Sequence, residues 1–289
     1  MRLRTRSTWN LTAATGLLTA LGVGERGLPD PGAVEPPPQP SGTIPREAAL
    51  TPVQRRLALA PLRGGRVGAL AWDGTRVRQT SPVTCGALSL LLLAAAGDPV
   101  LASWLTTGVR VGPVPPPELA RLSREELALD DVAARVAVAE RAVHGASRHA
   151  ALGPFDWPRA VGTPPWGAAR VARFRGVEYT HTPVNDGDVA RTRVVLDTVR
   201  AATRLGIPVP LFTGGDLGRG GSPAAAVPRH VVLAVPHRNG TSDLRILEPS
   251  AGTTFQVPID ALLGRTRGHA ALGGWSHVVW AVLPRSAYR

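Results

Sequence analysis

Gln79-Thr80-Ser81-Pro82-Val83-Thr84-Cys85-Gly86 runs straight into Ala87-Leu88-Ser89-Leu90-Leu91-Leu92-Leu93-Ala94-Ala95-Ala96-Gly97, and the fold turns on how this stretch is read. Ser81-Pro82 is turn chemistry, Thr84 stands where a helix cap belongs, and Asp98-Pro99 is a stop. The spacing therefore predicts a helix from Cys85 to Gly97. It is apolar all round, the pattern of a helix buried at the centre of a domain. Cys85 is the only cysteine in 289 residues. In the first turn of a helix a thiol meets unpaired N–H groups and the positive end of the macrodipole. Both favour thiolate, the nucleophilic form. Gln79, six residues upstream, is a neutral amide donor that a loop could fold back over the sulfur. The same cysteine can equally be read as a small buried hydrophobe, so its role depends on what the rest of the chain brings to it.

Upstream, Arg66 to Trp72 and Thr75 to Arg78 form a hairpin around a tight Asp73-Gly74 turn, and its second strand leads directly to Gln79. Downstream, residues 99–107 continue helically. A long amphipathic helix follows Pro115-Pro116-Pro117, with Leu119, Leu122, Leu127, Val132, Val136 and Val143 as its apolar stripe. Ser123-x-x-Glu126 has the form of a capping box that could divide it. Gly162-Thr163-Pro164-Pro165-Trp166 is a loop leading a helix to about Phe174. Val177 to Val184 alternates like a strand, Asp188 to Leu205 is helical, and Val209 to Thr213 is a short strand. The last third is β: His230–Val235, Leu244–Glu248, Thr253–Pro258 and His277–Leu283, with a turn at 237–241. Helices gathered first and an antiparallel sheet later make an α+β domain. Residues 25–48 are proline-rich and aperiodic. They are expected to be a largely disordered linker, with 1–50 as an N-terminal segment and 51–289 as the folded domain.

A cysteine nucleophile needs a base that also protonates the leaving group, a partner that orients that base, and donors for the oxyanion. His230-Val-Val and His277-Val-Val are the two candidates, and either could be a core histidine with a satisfied ring. No Asp, Glu, Asn or Gln follows His277, whereas the strand after His230 ends in Glu248-Pro249. With Asn239-Gly240 as a two-residue hairpin loop, paired residue numbers sum to 479 and His230 faces Pro249. A three-residue loop gives 478 and sets His230 directly across from Glu248.

Gln79-x5-Cys85-Gly86 opening a helix, then His230-Val-Val on a strand, then an acid-Pro at the next strand's end, resembles the papain-like cysteine peptidases. Within them it is most similar to the double-glycine-leader (bacteriocin-processing) branch, whose loops Gly162-Thr163-Pro164 also resembles. The resemblance spans residues 60–289. It implies Cys85 as nucleophile, His230 as general base then acid, Glu248 as the orienting acid where the family usually has Asp, and Gln79 as an oxyanion donor. It implies a thiol-dependent hydrolase that cleaves a peptide or amide substrate through an acyl-enzyme. Acyl transfer or amidase work on the same fold, or a degenerate peptide-binding module, are the alternatives.

Composition narrows the classes. Net charge is +12, but all 33 basic residues are arginine, scattered, with four Phe and two Tyr among them. No basic tract or stacking platform stands out, so nucleic acid is not an expected partner. One cysteine excludes an internal disulfide and a cysteine-rich zinc site, and His144 and His149 lack ligand spacing. No metal or cofactor is expected. Arg2, Arg4 and Arg6 before the run from Ser7 to Gly24 look superficially like a signal peptide. That run is diluted by threonines and lacks a clear cleavage site, so a soluble, cytoplasmic protein is favoured over an exported one. No stable membrane insertion is expected.

Overall fold

The computed structural model describes residues 24–25, 27–38, 50–52, 67–215, 228–236 and 243–289. The helix predicted at the cysteine is α1, Cys85–Gly97, and every residue from Cys85 to Ala95 is buried. Asp98 ends α1 and at once caps α2, Pro99–Thr107, where its carboxylate accepts from the N–H groups of Val100 and Leu101. Proline at the first helical position gives up an N–H that the helix would have left unpaired. Thr84 behaves differently from its sequence expectation. Its side chain caps nothing; the hydroxyl donates to the Ser81 carbonyl at 2.9 Å and accepts from the Ser81 N–H at 3.1 Å, closing the turn before the helix.

The long helical region is divided where the capping box predicts. Ser123 and Glu126 satisfy each other's backbone N–H at the start of α3, Arg124–Leu127. Asp131 then caps α4, Val132–Arg148. The remaining helices are α5, Pro165–Val171, and α6, Val189–Arg204. Seven short strands, β1 (Gly68–Ala69), β4 (Tyr179–Pro183), β5 (Val209–Gly214), β6 (His230–Val235), β7 (Asp243–Glu248), β8 (Thr253–Pro258) and β9 (His277–Pro284), make one sheet. Its order is β1-β8-β7-β6-β5-β9-β4, antiparallel throughout. β2 (Ala71–Trp72) and β3 (Thr75–Arg76) form the separate hairpin, with Asp73 and Gly74 both at positive φ, 48° and 74°, as a primed turn demands. The architecture is α+β, as the residue patterns predict. α1 lies between α4 and β6 and fills the centre of the core.

One expectation is corrected. Within the proline-rich stretch, residues 27–38 are not a free linker: Val34 joins the main core, and the Asp30 N–H donates to the Ala287 carbonyl at 2.8 Å. Just ahead of them the Glu25 N–H donates to the His181 carbonyl at 3.1 Å. Prolines preset an extended backbone and carry few N–H groups to satisfy, so such a segment can lie on a folded surface at low entropic cost. The run 7–23 and the turn 237–241 lie outside the described residues. Among the described residues no single helix is long and apolar enough to cross a membrane.

Leu91 has no exposed surface and sits mid-helix in this core. Leu91→Ala is expected to lower unfolding free energy by about 2–5 kcal/mol, the range for deleting a fully buried leucine, in a urea titration.

Candidate active site

Three side chains named from the sequence meet at one end of the sheet. His230 opens β6, Glu248 closes β7, and Cys85 begins α1, which crosses β6 with Gly86 against Val231. The His230 Nε2 and the Glu248 Oε1 are 2.7 Å apart. The Cys85 side chain lies close enough to the ring to favour its cation. All three are buried, Cys85 at 5 %, His230 at 7 % and Glu248 at 3 % exposure.

The register that achieves this is neither of those expected. β6 and β7 pair Leu233 with Leu247 and Val235 with Arg245, so paired numbers sum to 480. Extended to the strand end, His230 faces Ser250, and Glu248 lies on the same face as its diagonal neighbour. Diagonal neighbours are about 7–8 Å apart, within reach only of longer side chains. Glutamate's extra methylene spans that offset, which accounts for Glu at this position. The carboxylate also accepts from the N–H groups of Ser250 at 2.8 Å and Ala251 at 2.7 Å.

Electrostatics follow from these contacts. Burial disfavours a charged imidazole. The hydrogen bonds to the Cys85 sulfur and the Glu248 carboxylate, with the charges behind them, outweigh it and push His230 from 6.5 up to about 9. Burial likewise opposes the Glu248 anion. The His230 ring and the Ala251 and Ser250 N–H groups overcome that and hold the carboxyl below its ordinary range.

Gln79 is beside the site but engaged. Its Nε2 donates to the Ser81 carbonyl at 2.8 Å and its Oε1 accepts from Ser250 Oγ at 3.0 Å, while its N–H donates to the Pro249 carbonyl at 2.9 Å. It therefore stitches the cysteine turn to the Glu248 turn, and its second amide N–H has no acceptor among the described residues. His277 is elsewhere. His230 pairs with Thr213 and His277 with Gly214, consecutive residues of β5, so the two rings lie on opposite faces of the sheet. His277 is buried and hydrogen-bonded through Nδ1 to Asp186. A search for acids downstream of His277 misses this partner, because it precedes the histidine in the chain.

Two groups escaped the sequence reading. Glu140 on α4 has no exposed surface and accepts from the Thr80 N–H at 3.1 Å and the Thr80 hydroxyl at 3.1 Å, so it braces the cysteine turn from below. Burial pushes its carboxyl above the ordinary range despite the Thr84 and Thr80 contacts. A signal existed: position 140 is four residues after Val136 and three before Val143, an acid inside the apolar stripe. Gly273 is the second. At φ +67° its backbone lies over the His230 ring, and an added Cβ would stand 2.3 Å from the ring's Cδ2. Gly86 is similarly tight against Thr163, at 2.7 Å from an added Cβ, which seats the Gly162-Thr163-Pro164 loop on the first turn of α1. Among the described residues no group of three or more His, Cys, Asp or Glu could hold a metal ion.

Shortening the acid at position 248 should break the diagonal contact. In Glu248→Asp the His230 ring, followed by NMR, is expected to titrate well below about 9 and back toward 6.5. Stability should track the same group. The ring's proton affinity is higher folded than unfolded, so its contribution is full below about 6.5 and is lost as pH rises through about 9. Urea titrations across that window are expected to show a decline in the wild type that is smaller in Glu248→Gln.

No family model matches the chain, and no curated protein matches it.

Proposed function

We propose that the chain is a thiol-dependent hydrolase of the papain-like type, with Cys85 as nucleophile, His230 as base then acid, and Glu248 as the group that orients and charges the ring. The observation that carries this reading is the buried His230 ring bonded to the Glu248 carboxylate beside Cys85, with its cation favoured by both neighbours. A thiolate–imidazolium pair is a nucleophile with its acid already loaded. The sulfur would attack the carbonyl carbon of a peptide or amide bond. The resulting oxyanion would take hydrogen bonds from the Cys85 N–H, which lies in the first turn of α1 where no helical carbonyl takes it, and from the Gln79 amide. Imidazolium gives its proton to the departing amine and leaves a thioester on Cys85. His230 then takes a proton from water, whose oxygen attacks the thioester, and the acid product departs as the thiolate re-forms.

Burial of the sulfur and ring favours a second reading of the last step, transfer of the acyl group to an amine in place of water. Adding hydroxylamine as acceptor and identifying the products separates the two.

Iodoacetamide tests the dyad directly. An unpaired thiol reacts slowly at pH values well below about 8.5. Wild-type Cys85 is expected to be labelled rapidly at about pH 6, and His230→Ala to be labelled only as pH approaches the unpaired value. His277→Ala should leave the labelling profile unchanged and cost stability instead. Superimposable profiles for the wild type and His230→Ala would refute the pairing.

A further inference from the structure

A pocket of about 280 Å³ adjoins the turn that carries Cys85. One wall is that turn, through Thr80, Ser81 and Thr84, and the facing walls are basic: Arg141, His144 and Arg148 from α4, and Arg159 from the loop before α5. Among the described residues no carboxylate lines it. Arg141 is paired with Glu126 at 3.1 Å on the outer rim, and the Arg148 Nε donates to the Trp157 carbonyl at 2.7 Å. The Arg159 side chain has no hydrogen-bond or ion-pair partner among the described residues. His144 is 4 % exposed, and its Nε2 is buried without a partner. The Gly162 backbone beside the ring favours its cation slightly.

Cations gathered around a concavity repel one another, and such a cluster is most stable when an anion neutralises it. After burial, the guanidinium groups of Arg148 and Arg159 are what hold the His144 ring below its ordinary range, so all three groups are close. The acids whose charges reach the cluster, Glu140 at Arg141 and Asp156 at Arg148, have their oxygens bonded to other groups. Glu140, one turn before His144, is turned to Thr80. Asp156 accepts from the Ala150 N–H and meets His149. Arginine forks match the geometry of carboxylate and phosphate oxygens. The Ser81 hydroxyl, which only accepts a long 3.5 Å bond from the Val83 N–H, has its own proton to offer.

We propose that this pocket binds an oxyanion, carboxylate or phosphate, held by Arg148, Arg159 and the Ser81 hydroxyl. Ser81 is also where the Gln79 amide and the Thr84 hydroxyl are anchored, so an anion seated there stiffens the turn that presents Cys85. The oxyanion has two sources. It is an acidic side chain of the substrate, a version that rests on the thiol-hydrolase reading, or a free anion that braces the turn.

Calorimetric titration with inorganic phosphate in a low-salt buffer tests the site without any turnover. Saturable one-site binding is expected in the wild type. It should be about tenfold weaker in Arg159→Gln, the loss of one charge-assisted hydrogen bond, and unchanged in Arg110→Gln, an exposed arginine outside the pocket. Because the Arg159 side chain is exposed and without a partner among the described residues, its variant should keep the wild-type Tm. Absence of saturable binding, or equal binding in Arg159→Gln, overturns the proposal. Two chloroacetyl peptides that differ only in Glu or Gln beside the electrophile then separate the sources. Faster labelling of Cys85 by the Glu peptide, lost in Arg159→Gln, assigns the anion to substrate. Equal labelling alongside phosphate binding assigns it to a free anion. Failure of iodoacetamide to label Cys85 would sink the thiol chemistry and leave the phosphate result standing.

Discussion

The Glu248 carboxylate is buried where water cannot solvate it, and N–H groups take water's place. Removing a carboxylate from water costs several kcal/mol unless charge and hydrogen bonds replace what is lost. Here the replacements are the Ser250 and Ala251 N–H groups and the His230 ring. Each one constrains something else. The two backbone donors fix the turn between β7 and β8, and the ring fixes the side-chain conformation at the start of β6. Gln79 clasps the same turn through Pro249 and Ser250, which holds the cysteine loop at the right distance. A single satisfied anion thus organises three separate chain segments.

Glu140 shows what the same residue type does with neutral donors alone. Both acids lie against the cysteine loop or its neighbour, and both are shielded from water. Around Glu248 the sum of hydrogen bonds beats burial and the anion is favoured. Around Glu140 burial wins and the neutral acid gains ground. One acid faces the imidazole as a favoured anion, while the other supplies a brace. Between them the turn Gln79–Thr84 is held from two sides before α1 begins. Gly86 and Gly273 let neighbouring backbone and side chains close over the dyad, since a methyl at either position would collide with Thr163 or with the ring.

Much of this was legible in the residues. α1 is bracketed by Ser81-Pro82 and Asp98-Pro99, so both ends are written in local chemistry. Ser123 and Glu126 announced their cap. The pairing of β6 with β7 was not legible, because a hairpin loop can be read in several lengths while side-chain alternation permits only every second register. Sums of 478 and 480 both put residues 230 and 248 on one face, whereas 479 would have turned one of them over. Face parity was therefore the stronger clue, and glutamate's length in place of aspartate was a second one. Asp186 was missed because contact order in the fold ignores chain order. The docking of residues 27–38 was missed because composition speaks to the cost of ordering a segment and not to the surface that awaits it.

That docked segment has a consequence for solubility. An open sheet has two rims, and each can recruit a strand from another molecule. On one rim β1 is only two residues long, too short to template much. On the other lies β4, five residues with Pro183 at its end. The Glu25 N–H occupies the His181 carbonyl there, and the Glu25 carboxylate takes the Thr180 hydroxyl proton at 2.6 Å. A chain shortened to begin at residue 50 would lose Val34 from its core. It would also bare the β4 rim and turn a shielded strand into a template for self-association.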